Sequence, residues 1–91
     1  MIGPDTHAAL EIRRRRILFR ANHRGTKEAD LLVGGFVSSR LATLDDAGLT
    51  AIEAMLELPD VDLADWLSGR RPLPANPHTP ILAMMKTDLH R

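Results

Sequence analysis

The four histidines, His7, His23, His78 and His90, are spread singly along the 91 residues. No metal-ligand spacing and no Ser/His/Asp arrangement brings them together, so each is expected at the surface and neither a catalytic residue nor a metal site is assigned. Cysteine is absent, which removes thiolate zinc, iron–sulfur ligation, disulfides and a Cys nucleophile together. What remains for recognition chemistry is cationic. Arg13 to Arg16 are consecutive, and at about 100° per residue they point nearly all round a helix, so at least one leans toward the buried side. Two readings stay open. The aliphatic stems pack on the core and the guanidiniums pair with acids elsewhere, or the block is a docking face for carboxylates or phosphates.

The second chemical cluster is His23-Arg24-Gly25-Thr26-Lys27-Glu28-Ala29-Asp30, lying where one helix must turn into the next. A corner this tight calls for a left-handed residue, which glycine adopts without strain, so Gly25 is expected at positive φ. Glu28 and Asp30 fall in the first turns of the following helix, where its positive end favours carboxylates. Arg24 is placed to cover the last carbonyls of the first helix. That account is wholly structural; the competing one is an exposed corner whose guanidinium forks onto a partner carboxylate while Glu28 accepts from a partner donor.

Twelve Lys or Arg balance twelve Asp or Glu over the whole chain, so nothing in the total favours nucleic acid or a membrane surface. The distribution says more. Residues 1–27 hold seven bases against two acids, a net of +5; residues 28–68 hold one against nine, −8; residues 69–91 are +3. Such segregation either presents faces of opposite sign to a partner or neutralises itself inside the fold. With Phe19, Phe36 and Trp66 as the only aromatics, the core is aliphatic and a stacking platform for bases is nearly excluded. The longest charge-free stretch, Pro72 to Met85, contains four prolines and falls short of the roughly 20 apolar residues that span a bilayer. No apolar signal segment opens the chain, and a cytoplasmic protein is expected.

The length is that of one domain, 1–91, and the apolar period is helical throughout. Helix one is expected from about Thr6 to Asn22, capped by Asp5 or Thr6, with Leu10, Ile17, Leu18 and Ala21 on its stripe. Helix two runs from about Thr26 to Leu41 with Ala29, Leu32, Val33, Phe36 and Arg40 in register. Its Gly34-Gly35 pair, at about 1 kcal/mol per glycine against alanine, implies a close backbone approach or a bend. Thr43 with Asp46 resembles a capping box for helix three, which carries Leu49, Ile52, Met55 and Leu56 and ends near Leu58 before Pro59. Asp60 or Asp62 caps a short fourth helix holding Leu63, a largely buried Trp66 and Leu67, stopped by Gly69. Thr79 and Pro80 read as cap and first residue of a fifth helix, about 79–89, with Ile81, Leu82, Met85 and Leu89. The fold class is all-α, a small five-helix bundle.

Arg24-Gly25-x-x-Glu28-x-Asp30-Leu31-Leu32, preceded by a basic helix and followed by Phe36, resembles the RGxxE signature of the SdhE family, bacterial relatives of succinate dehydrogenase assembly factor 2. Leu56-Glu57 and then Asp60-x-Asp62-Leu63-x-x-Trp66-Leu67 resemble that family's second motif, so the likeness covers about residues 12–68. It implies a non-enzymatic, chaperone-like factor that binds the flavoprotein subunit of succinate dehydrogenase, and of fumarate reductase where present, and promotes covalent attachment of FAD to a histidine of that subunit. FAD is then the cofactor of the partner, with none bound stably here. Carried over by position, Arg24, Gly25 and Glu28 are the signature residues, Asp30 extends the partner-binding set, and Arg16 and Arg20 flank it on the basic helix. Two alternatives belong to other classes: an antitoxin to a membrane toxin, which the resemblance also allows, and a nucleic-acid-binding helical domain. A monomer without membrane insertion is expected.

Overall fold

The computed structural model describes residues 3–89, with side chains from Ala8 onward. Five α-helices follow one another: α1 Gly3–Asn22, α2 Lys27–Arg40, α3 Asp46–Leu56, α4 Asp60–Ser68 and α5 Thr79–Leu89. A single 3₁₀ turn, Leu41–Thr43, links α2 to α3, and no strand occurs among the described residues. The all-α bundle is therefore the observed fold.

Each helix contributes its apolar stripe to one core. Ile17 and Ala21 come from α1, Val33, Phe36 and Val37 from α2, Leu49, Ile52, Met55 and Leu56 from α3, Leu63 and Leu67 from α4, and Ile81, Leu82 and Met85 from α5. Full burial of each such side chain stabilises the fold by about 1.5 to 3 kcal/mol before conformational entropy is charged against it. Close contact of α1 with α2 is made at Gly34: a Cβ there would lie 2.1 Å from Asn22 Oδ1 and 3.3 Å from the Ala21 carbonyl oxygen. Gly35 faces outward with nothing within 4 Å of its Cβ direction. The close approach foreseen for the glycine pair thus belongs to Gly34 alone.

Several boundaries differ from the sequence expectation. α1 already begins at Gly3, so Asp5 and Thr6 lie inside the helix and do not cap it; Pro4 is tolerated in a first turn, where its missing N–H leaves no bond unmade. Thr43 does not cap α3. The chain tightens into the 3₁₀ turn, Thr43 Oγ1 donates back to the Arg40 carbonyl at 2.9 Å, and Asp45 takes the cap by accepting from the Gly48 N–H at 2.8 Å. α3 ends at Leu56, two residues early, because Pro59 disfavours helical geometry at Leu58. Pro59 itself holds the cap position of α4, without a side-chain bond; Asp60 and Asp62 sit in the first turn instead, their carboxylates engaged by arginines. Thr79 is the first residue of α5, and its hydroxyl serves the preceding loop, accepting from the Asn76 N–H at 3.0 Å. Trp66 is only half-buried, with the Arg71 guanidinium 5.3 Å from its ring centroid. Gly25 and Gly69 both have positive φ, +114° and +84°, as the two corners require.

Candidate functional site

The corner between α1 and α2 gathers Arg24, Gly25, Glu28 and Asp30. α2 starts there because Thr26, in extended conformation, accepts the Ala29 N–H on Oγ1 at 3.1 Å, a side-chain cap of one orphan donor. Asp30 reaches back, one carboxylate oxygen accepting the Arg24 N–H at 2.5 Å. The turn is thereby tied across Gly25, whose φ of +114° any side chain would strain although no atom lies within 4 Å of the Cβ direction. Glu28 and Lys27 are exposed, and the Glu28 side chain forms no hydrogen bond or ion pair among the described residues.

Arg24 is not a free cation at this corner. Its side chain is 10% exposed. Nε donates to Asp60 Oδ1 at 2.8 Å, one terminal nitrogen to the Leu56 carbonyl at 2.6 Å and the other to the Leu58 carbonyl at 2.7 Å, the latter also facing Asp60 Oδ1 at 2.7 Å. The expectation that Arg24 covers the end of α1 is therefore corrected: it covers the end of α3. Pro59 prevents α3 from continuing, so the Leu56 carbonyl at its end and the Leu58 carbonyl in the link to α4 lack helical donors, and a planar guanidinium satisfies both together with a carboxylate. The end of α1 is served locally, by Asn22 Nδ2 donating to the Leu18 carbonyl at 3.0 Å and by His23 Nδ1 facing the Phe19 carbonyl at 2.7 Å. Asp60, which belongs to the second sequence motif, is thus joined to the first through Arg24.

Part of the charge segregation along the chain resolves into pairs. Arg13 donates to Asp46 at 2.6 Å, to Thr50 at 2.8 Å and to Glu53 at 2.7 Å, so the basic helix lies on the acidic α3. The Arg13 hydrogen bond holds the Glu53 carboxyl below its ordinary pKa against some desolvation, with the attraction of Arg13 and Arg20 adding to it and Asp46 opposing. Glu53 and Asp46 in turn raise the Arg13 pKa, and the Asp88 hydrogen bond raises that of Arg40. Arg14 donates to the Leu44 carbonyl at 3.1 Å, and Arg20 pairs with Glu57. Of the two flanking arginines, Arg20 is thus turned to α3, whereas Arg16 is exposed and makes no polar contact among the described residues.

Two side chains outside the expected partner-binding set border the same corner. The His23 ring stacks on Phe19, centroids 4.0 Å apart and planes at 15°, and Phe19 remains 63% exposed. They wall a shallow depression of about 390 Å³ with Arg20, Arg24, Leu58 and Asp60. Their i, i+4 spacing, with Phe19 in the last turn of α1 and His23 just past its end, was the signal available. His78 is half-buried, while His7 and His90 lie outside the residues with described side chains. No group of three His, Asp or Glu side chains converges as for a metal ion among the described residues, and no described helix is long and apolar enough to cross a membrane.

Comparison with known proteins gives a consistent result. The family described as "Flavinator of succinate dehydrogenase" matches residues 15–89. The chain is similar to the FAD assembly factor SdhE of Acetobacter pasteurianus, 53% identical over 87% of this chain and 72% of that protein. It is 37% identical to the mitochondrial succinate dehydrogenase assembly factor 2 of Mycosarcoma maydis, over 80% of this chain and 30% of that protein. The corresponding Dictyostelium discoideum factor is 27% identical over 85% and 55%. The chain therefore spans less than two thirds of these mitochondrial relatives. No solved structure matches it significantly.

Proposed function

Since this chain belongs to the family of flavinators of succinate dehydrogenase, we propose that it is a FAD assembly factor that docks on the enzyme's flavoprotein subunit and promotes covalent attachment of FAD there. The observation that carries the docking site is the division of labour at the α1–α2 corner. Arg24 spends its donors inside the molecule, which fixes the corner; Gly25, Lys27 and Glu28 are left facing outward. Fixing the backbone of the corner lowers the ordering cost of presenting Glu28 to a cationic or N–H donor on the partner, while the Glu28 side chain itself stays solvated until it is engaged. The exposed Phe19–His23 stack and Arg16 extend that surface along α1.

The factor acts by positioning. It binds the arrangement of the flavoprotein in which flavin and acceptor histidine are apposed, shifting the subunit's population toward it, and alignment of two reacting groups is worth several kcal/mol of barrier with no catalytic side chain supplied. The bond-forming chemistry stays in the flavoprotein, FAD is that protein's cofactor, and the factor works as a monomer. A fumarate reductase flavoprotein, where present, is a second client of the same corner. Deleting the gene and assaying protein-bound flavin in the dehydrogenase tests this: the flavoprotein should lose its covalent flavin and regain it on complementation. Undiminished covalent flavin in the deletion strain would refute the function.

A further inference from the structure

Five large apolar side chains are exposed among the described residues, and three of them, Leu31 at 68%, Val61 at 71% and Leu89 at 43%, border one groove. It lies between α2, α4 and the end of α5 and encloses about 640 Å³. Solvating three aliphatic residues around a single concavity is not what folding of this chain alone favours. The groove's charged groups are unequal. Asp60 is engaged by Arg24 and Arg70 by Asp65, at 3.1 Å, which leaves Glu28 as the rim charge without a counterion among the described residues.

We infer that this groove is the second half of the flavoprotein docking surface, and that it takes an apolar segment of that subunit bearing a Lys or Arg beside Glu28. The inference rests on the proposed docking function. Continuity carries it: Thr26 and Glu28 belong both to the signature corner and to the groove wall, so a partner seated on Glu28 lies at the mouth of the groove. Charge supports the same occupant, since the rim group left uncompensated among the described residues is acidic. Area argues against a second copy of this chain. Three partly covered aliphatic side chains offer on the order of a few hundred Å², well below the about 800 Å² per partner of a stable complex. As an extension of the corner that area is useful; alone it holds no dimer.

The test uses the full chain, a Leu31→Gln/Val61→Gln double variant, and Glu28→Ala, each titrated against the purified apo-flavoprotein subunit and checked by thermal melting and sedimentation. Both changed positions of the double variant are exposed, so melting should stay near wild type. Its Kd should rise about ten-fold or more, with flavin attachment slowed at low factor concentration and restored at saturation. Unchanged affinity in the double variant beside a weakened Glu28→Ala overturns the groove while the corner stands. Unchanged affinity in both, or no binding by the wild type, overturns the docking reading itself. A wild-type dimer abolished by the double variant, with flavoprotein affinity intact, gives the groove to a second copy and also overturns the inference.

Discussion

Replacing Arg24 by Ala removes the one donor shared by two carbonyls of the α3 end and the Asp60 carboxylate. Hydrogen bonds from a charged donor are worth about 1.5 to 3 kcal/mol each in sheltered sites, and they do not add. Asp60 is 31% exposed, so water recovers part of the loss there, whereas the Leu56 and Leu58 carbonyls stand at a closed helix end. A net cost of about 2 to 4 kcal/mol follows, a large fraction of a typical 5 to 15 kcal/mol. For a domain of this size that corresponds to a fall in Tm of about 10 to 30 °C. Arg24→Lys should recover at most about half, because one ammonium cannot serve three acceptors in a fork. Thermal melting by circular dichroism, with urea unfolding to check that the m-value is unchanged, measures it. An Arg24→Ala protein melting within about 2 °C of wild type yet inactive in flavin attachment would refute the clamp and return Arg24 to the partner interface.

Gly35→Ala should stabilise by about 0.5 to 1 kcal/mol, since its Cβ meets open space in a helix interior, whereas Gly34→Ala should gain less or lose, because Asn22 and the Ala21 carbonyl must give way; paired melting curves separate them. Asp45→Ala should cost about 1 kcal/mol as the true cap of α3, and Thr43→Ala markedly less, which comparison of their denaturant midpoints decides. Glu53 has a depressed pKa in the folded state, so its stabilisation is present above the unfolded value of about 4.3 and is lost as pH falls through the folded value. Glu53→Gln should therefore melt below wild type at pH 7, with the gap closing below about pH 4; a gap that persists in acid would contradict the ion-pair origin.

Elements whose cause is local were legible in the sequence. The stripe Leu49, Ile52, Met55 and Leu56 is buried as its spacing requires, and Gly25 and Gly69 have the positive φ that their corners imply. Asp30 stands near the start of α2 as expected, but the group it binds is the Arg24 N–H, a contact across the turn. What could not be read is set by distance along the chain. Arg24 meets acceptors 32 to 36 residues away, and Arg13 meets acids 33 to 40 residues away; periodicity carries no information about either. The Thr43 cap failed for a subtler reason. Thr43 and Asp45 are both good caps, and the choice between them depends on the 3₁₀ turn that tertiary packing of Leu41 imposes. Trp66 packs only partly against the core, and the Arg71 guanidinium from beyond the Gly69 corner meets its ring, a contact that a helical wheel does not show.

The central claim is that the corner from Gly25 to Glu28 serves the partner while Arg24 serves the fold. Gly25→Arg introduces strain of about 1 to 2 kcal/mol at φ +114° and projects a large cation from the docking face; Glu28→Ala removes an exposed carboxylate worth about 0.3 to 1 kcal/mol to its helix. Covalent flavin incorporation into the purified apo-flavoprotein, measured beside thermal melting for both variants, tests the claim most directly. The account predicts folded, helical proteins with modestly lowered Tm and flavin incorporation reduced toward the level without factor. Normal incorporation by folded Gly25→Arg and Glu28→Ala proteins would contradict it and leave the motif as a helix corner only.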